Sequence, residues 1–253
     1  MTVQSLVYVN GQVARGIDRK LVGGEDPVAQ ARQAFGNIRA GLEAAGALDD
    51  IVQCRVNVVD CAPDVIAQIM TVGREVLGKA WKPSSVSVLG VQSLGYPIFK
   101  VEVEATATIK GQEKPMAKSG IQRVRPNTLP PRVGDAAQVL VTGHSRLAFV
   151  NSQLPLDENG KLVGGADPVA QSVQVFRNVK KALAAAGATG RDVVHYRITV
   201  VNYDDSMHEG IFGAGEQVFK EEWFDAPCIV FGATALEKPE FLVSVEVIAA
   251  LND

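Results

Sequence analysis

Three cysteines, three histidines and two tryptophans in 253 residues leave this chain poor in the side chains that most often staple, ligate or anchor a small protein. Cys54, Cys61 and Cys228 are odd in number and sit inside apolar patterns, which argues against a disulfide framework and for a reducing compartment. His144, His195 and His208 form no ligand-spaced pair with each other or with a cysteine, so neither a metal site nor a cofactor is expected. Charge of one sign is missing too. The 25 basic and 28 acidic residues are interspersed, for a net charge of −3, which gives no electrostatic reason to expect nucleic acid or an anionic membrane as partner. No run of about 18 apolar residues occurs, and the opening MTVQSLVYVNGQ lacks the charged segment and apolar stretch of a leader. The expectation is a soluble cytoplasmic protein whose partner is a small molecule.

What the chain does have is a long internal repeat. LVGGEDPVAQ at 21–30 returns as LVGGADPVAQ at 162–171, and the copies can be followed further. LVYVNGQ (6–12) matches LAFVNSQ (147–153), RVNVVD (55–60) matches RITVVN (197–202), and KVEVEATA (100–107) matches LVSVEVIA (242–249). A period this long signals a duplicated domain, not a stacked array of short units.

Each copy reads as the same series of elements. A strand is followed by a helix opening at Asp26-Pro27 or Asp167-Pro168, with Asp as N-cap and Pro at the first helical position. That helix stops at Ala-Ala-Gly (44–46 and 185–187). A β-branched strand (51–59, 193–201), a second helix (64–78, 206–221) and two closing strands (84–91 and 98–109; 228–234 and 241–250) complete the unit. The polar, Pro/Gly-rich stretch 111–136 reads as a linker between domains at 1–110 and 137–253, although its IQRV is able to pair at a sheet edge. AQVLVTG (137–143) reads as an additional strand of the second copy. The first copy has no equivalent, so its sheet needs completion from elsewhere, for which part of the linker is a candidate.

The order V-N-G-Q, L-V-G-G-x-D-P-V-A-Q, N-I-x-x-x-L-E-A-A-G, D-I-V and V-E-V-E-A resembles the RidA/YjgF family of enamine and imine deaminases, formerly called endoribonuclease L-PSP. The likeness covers both halves except the linker. It implies an α/β (α+β) architecture of two tandem chorismate-mutase-like domains, each a mixed β-sheet packed against two helices. It also implies trimeric rings with ligand clefts between neighbouring units. Two units per chain cannot close a ring of three, whereas three chains supply six units, so a homotrimer resembling two stacked rings is expected.

The family reaction hydrolyses enamines, through their imine tautomers, to a 2-oxo acid and ammonia. It calls for a cation to hold the substrate carboxylate, a role suited to arginine, and a group that activates water, suited to a buried glutamate. The family's glutamate falls on Glu102 in the first copy and on Ser244 in the second; Glu104 and Glu246 align with its second glutamate. The family's arginine is retained in neither copy: its position falls on Pro83, Ser84 or Ser85 within WKPSSVSV (81–88), and on Pro227, beside Cys228, in WFDAPCIV (223–230). Losing such a charge pair weakens binding of a small imino acid by about 30-fold or more, so another cation substitutes or the substrate differs.

The resemblance makes Glu102 the candidate catalytic base, against the alternative of a solvated glutamate on the polar face of a strand. Candidate substrate-binding residues are Lys82 as a replacement cation, Ser84 and Ser85, Cys228, and Gly11 at the family's loop glycine, where the second copy has Ser152. The family's aromatic ligand contact falls near Gln138. Cys228 reads better as a buried thiol than as a nucleophile, because no histidine adjoins it. His144 and Arg146 read as a hairpin turn, His208 as a surface residue, and Trp81 and Trp223 as matched core anchors. The leading expectation is a deaminase-type hydrolase of a small imine or enamine with a divergent site. The alternative is a non-catalytic metabolite-binding or scaffolding protein, and the acidic balance disfavours RNA cleavage.

Overall fold

The computed structural model describes residues 4–60, 62–81, 85–110, 120–129, 137–143, 146–236 and 238–251. The first repeat runs β1 (Gln4–Val13), α1 (Pro27–Ala45), β2 (Ile51–Val59), α2 (Pro63–Leu77), β3 (Ser85–Val91), β4 (Ser93–Leu94) and β5 (Val101–Lys110). After β6 (Ile121–Val124) and β7 (Val139–Thr142), the second runs β8 (Arg146–Gln153), α3 (Pro168–Ala185), β9 (Val193–Val201), α4 (His208–Phe219), β10 (Cys228–Ala233) and β11 (Val243–Leu251). Each repeat is a mixed sheet backed by two helices, with one parallel pair, β2–β3 or β9–β10, among antiparallel neighbours.

The repeated decapeptide has a physical function in both places. The Asp26 carboxylate accepts the Val28 N–H at 2.8 Å and the Asp167 carboxylate accepts that of Val169 at 2.8 Å, so each helix starts on a side-chain cap with proline next to it. Gly23 (φ 91°) and Gly164 (φ 96°) hold the preceding turn so tightly against the first helical turn that a Cβ would strike its backbone. The glutamine that closes each decapeptide is fully buried. Gln30 donates to the carbonyls of Gly24 (2.6 Å) and Ile98 (2.9 Å) and accepts from Lys100 N–H (2.7 Å). Gln171 does the same with Gly165, Glu240 and Leu242. Each glutamine therefore satisfies three backbone groups that folding removes from water, and it fixes the start of the last strand to the start of the first helix.

Apolar faces of α1 and α2 cover one side of the first sheet: Phe35, Ile38 and Leu42 pack on Val56, Val58, Val101 and Val103. In the second repeat Phe176, Val179 and Leu183 play the same part against Ile198, Val243 and Val245. Trp81 stands edge-on to Phe35, and Trp223 edge-on to Phe176, as matched anchors packed on their cores.

The sheets depart from a simple pair of copies. The strand expected to open the second repeat forms as β7, but it is hydrogen-bonded to β1, with Val9 opposite Val139 and Leu6 opposite Thr142. The IQRV segment follows as β6 at the outer edge, so the first sheet has the order β3-β2-β5-β1-β7-β6 and is completed from the 111–136 stretch. Residues 111–119 and 130–136 of that stretch lie outside the described residues. The composition of β7 suits an interior position: Val-Leu-Val is apolar on both faces, as a strand buried on both sides must be. Val139 and Val141 face α1 in the first core, while Leu140, with Tyr8 and Ile121, enters the second.

In exchange, β4 pairs with β10, giving the second sheet the order β4-β10-β9-β11-β8. β8 is left as an edge strand. Phe149 on it is 73% exposed, whereas Tyr8, its counterpart on β1, is 5% exposed.

Candidate functional site

Glu102 lies on β5 opposite Val13 of β1 and Asn57 of β2. The β1–β5 register shifts between Val9 and Gln12, so Asn10 and Gly11 form a bulge beside it. Glu102 is 7% exposed, and its carboxylate occupies the space that a side chain at Gly11 would fill. The second repeat has an equivalent bulge between Val150 and Gln153 on β8, where Ser152 replaces Gly11 and Ser244 replaces Glu102. The two substitutions are coupled by volume. A large carboxylate requires glycine on the neighbouring strand, and a small hydroxyl releases that requirement.

Gln138 completes this corner, since its carbonyl accepts the Asn10 N–H at 3.0 Å. β7 thus brings to the first repeat's glutamate the residue aligned with the family's aromatic contact. The adjoining Ala137 N–H donates to the Asp225 carboxylate at 2.8 Å, and Arg123 and Arg125 pair with the same carboxylate at 3.1 and 2.9 Å. Asp225 leads into β10, whose far end is held by β4. β10 therefore runs across the end of the first sheet that carries Gly11 and Glu102.

Lys82 and Ser84 lie outside the described residues. Ser85 opens β3 opposite Gln53, four residues along from Leu89, which is level with Asn57 and hence with Glu102. At roughly 3.3 Å per residue that is about 13 Å along the sheet and two strands away, so the fold does not bring Ser85 to Glu102 of its own repeat. The equivalent start of β10, from the second repeat, is the one that approaches. Cys228 sits there, but its side chain is buried in the second core; Ile229 takes the opposite face and is also buried. Arg146 is exposed at the start of β8, and His144 lies outside the described residues.

Between the facing sheets is a charged cluster that motif reading missed. Arg55 pairs across strands with Glu104, and Arg197 with Glu246, at matching positions of the two repeats. Arg197 also reaches across to Glu104, with Nη2 2.9 Å and Nε 3.2 Å from Oε1, while it keeps its bond to Glu246. His195 Nε2 lies 3.0 Å from the other Glu104 oxygen, and Arg55 Nη1 is 3.8 Å from Oε1. Burial alone pushes the Glu104 carboxyl up. The His195 hydrogen bond and the charges of His195, Arg197 and Arg55 more than reverse this and hold it at about 2. Cys54 beneath it is pushed up to about 12 by burial and, secondarily, by Glu104. The signal available in the sequence was the repeated Arg of RVNVVD and RITVVN together with the repeated second glutamate of the last strand.

A further cluster joins the repeats near β4. Tyr203 hydroxyl and His208 Nδ1 are hydrogen-bonded at 2.8 Å, and the His208 ring stacks between Tyr96 and Phe212. Ser93 donates to the Tyr203 carbonyl at 3.0 Å, and Gln92 Nε2 to Asn202 Oδ1 at 3.1 Å. His208, expected on the surface, is instead half-buried between the repeats, because the first repeat's loop supplies Tyr96. Burial, with smaller contributions from Tyr96 and nearby acids, raises the Tyr203 phenol. Among the described residues no group of three His, Cys, Asp or Glu side chains is placed to hold a metal, and no helix is long and apolar enough to cross a membrane.

Comparison with known proteins follows the same division of the chain. The family model described as Endoribonuclease L-PSP matches twice, over residues 1–109 and 135–251. The 3-aminoacrylate deaminase RutC of Acinetobacter baylyi is 29% identical over 126 residues, covering 50% of this chain and 94% of the relative. Among solved structures, the Rid-family protein YyfB of Yersinia pestis is 34% identical, covering 52% of this chain and 99% of that one at a TM-score of 0.47. Rv2704 of Mycobacterium tuberculosis is 30% identical, covering 42% and 79% at a TM-score of 0.34.

The Glu104 cluster has a measurable acid signature. Its folded value near 2 lies below the ordinary 4.5, so folding favours the ionised form: the stabilisation is complete above about pH 5 and is lost as the pH falls through 4.5 towards 2. Glu104→Gln is expected to lose on the order of 3 kcal/mol at neutral pH, because it leaves the partly buried Arg55 without its carboxylate and the buried Arg197 with Glu246 alone. It should also flatten the decline in stability between about pH 5 and pH 2. Urea denaturation of both proteins across that range measures the two effects together.

Proposed function

The chain belongs to the Endoribonuclease L-PSP family through both of its halves, and on that premise we propose that it is a deaminase-type hydrolase of small imines or enamines, with one Glu102-containing site per chain. The observation that carries the reading is the Gly11–Glu102 pair. A buried carboxylate is accommodated beside a bulged strand by a glycine that makes room for it, and the second repeat has exchanged both members for serine. In the proposed reaction Glu102 orients and deprotonates the attacking water, and β10, crossing over it, excludes bulk solvent. The second repeat then acts as the wall of the first repeat's site. Lys82 is the proposed cation for the substrate carboxylate, with Ser84 in a binding role; Ser85 lies two strands from Glu102 and the Cys228 thiol is buried in the second core, so neither is assigned to this site. The resemblance to a 3-aminoacrylate deaminase supports the reaction class. We place the protein in the cytoplasm on its composition.

A non-catalytic reading has one observation in its favour: neither copy retains the family's arginine. RNA cleavage has no basic stripe to support it, at a net charge of −3.

The test is ammonia release from a panel of freshly generated imino acids. Glu102→Gln is expected to lower the rate by about 10²- to 10⁴-fold without moving the melting temperature appreciably. A wild-type protein without turnover, yet stabilised in thermal shift by one of the same compounds, speaks for the binding reading. The proposed assembly is a homotrimer, supported by the open β8 edge and the exposed Val86 and Leu89. Light scattering should give three times the 26.9 kDa chain mass; a monomer refutes it.

A further inference from the structure

The facing sheets enclose a second feature that the proposed reaction does not use. A cavity of about 410 Å³ lies between them, and its described lining includes neither Glu102 nor Gly11. Its size falls within the range of small-molecule sites, roughly 300–1,000 Å³. Apolar side chains from both repeats form most of its wall, among them Leu6, Tyr8, Leu147, Phe149 and Val150. The polar side is the charged cluster.

The charges of that cluster are unequally engaged. Glu104 is occupied by His195 and Arg197, and Arg197 by Glu104 and Glu246. Among the described residues Arg55 has only the long 3.8 Å contact with Glu104, and its side chain is 28% exposed, lining the cavity. A guanidinium has five N–H donors in a planar fork. Nearly all of this fork is unspent, at the border of an apolar chamber where an added anion faces less competition from water.

We propose that this inter-repeat cavity binds a small organic carboxylate, its carboxylate on the Arg55 fork and its apolar body against Tyr8, Leu147, Phe149 and Val150. The fork selects a planar anion over a neutral amide of the same shape. The wall selects a compact apolar body, and walls drawn from both repeats make the site a property of the fused chain. The inference goes beyond the Glu102 reaction and does not depend on it.

The experiment follows the fluorine NMR signal of 4-fluorophenylacetate titrated with the full chain, with neutral 4-fluorophenylacetamide as comparison. Saturable binding of the acid is expected, with the amide at least about tenfold weaker. Arg55→Ala should weaken the acid by about tenfold or more, and Leu147→Trp, which fills the chamber from the other repeat, should abolish binding. Arg55→Ala should keep the wild-type melting profile, since Glu104 retains His195 and Arg197. Glu102→Gln should bind like wild type. Absence of saturable binding at millimolar concentration, undiminished binding in Arg55→Ala, or loss of binding in Glu102→Gln each overturns the proposal, the last because it moves the ligand to the other site.

Discussion

The hydrogen bonds between β7 and β1 tie the two repeats into one body, and most other features of the chain depend on them. Once Val139–Thr142 is committed to the first sheet, the short connection to Arg146 must carry the chain from one sheet to the other. The faces of both sheets opposite their helices are then turned towards each other, Leu140 enters the second core, and Arg197 is set within reach of Glu104. The same commitment places Gln138 beside Asn10 and binds Ala137 to Asp225, which positions β10 over the corner holding Gly11 and Glu102. The charged cluster acts within this frame. Its two guanidinium groups and the His195 ring around one buried carboxylate tolerate little displacement, because moving the sheets apart would leave charges buried without partners.

The two repeats have divided the demands of the fold and of the site. Features that build backbone are present twice: the Asp cap, the tight glycine turn, the buried glutamine, and the Gln33–Asn37 and Gln174–Asn178 pairs whose asparagines hold the carbonyls after β1 and β8. Each satisfies backbone groups of its own copy, so each copy needs its own set. The bulge is present twice as well, but its contents differ. Gly11 with Glu102 and Ser152 with Ser244 are two self-consistent solutions to the same space.

The duplication, both sets of elements and the pairing of IQRV at a sheet edge were legible in the sequence, because caps, glycine stops and β-branched runs are local signals. The second helix of each repeat, expected at 64–78 and 206–221, forms at Pro63–Leu77 and His208–Phe219, the latter with a single 3₁₀ turn at each end. Which sheet would receive β7 was not legible. LVYVNGQ and LAFVNSQ offer nearly the same edge, and the choice is made by burial on both faces, a tertiary property. For the same reason Gln138 reads as a second-repeat residue yet serves the first. The Arg55–Glu104–Arg197–His195 cluster escaped because its members are ordinary strand residues until two sheets face each other.

Cross-linking tests the shared sheet most directly. In a background without the three native cysteines, Tyr8→Cys with Leu140→Cys places thiols at directly opposed positions of β1 and β7. This pair is expected to close to a disulfide under mild oxidation, while Phe149→Cys with Leu140→Cys stays reduced. Closure of the Phe149 pair with the Tyr8 pair left open would put β7 in the second sheet and contradict its pairing with β1.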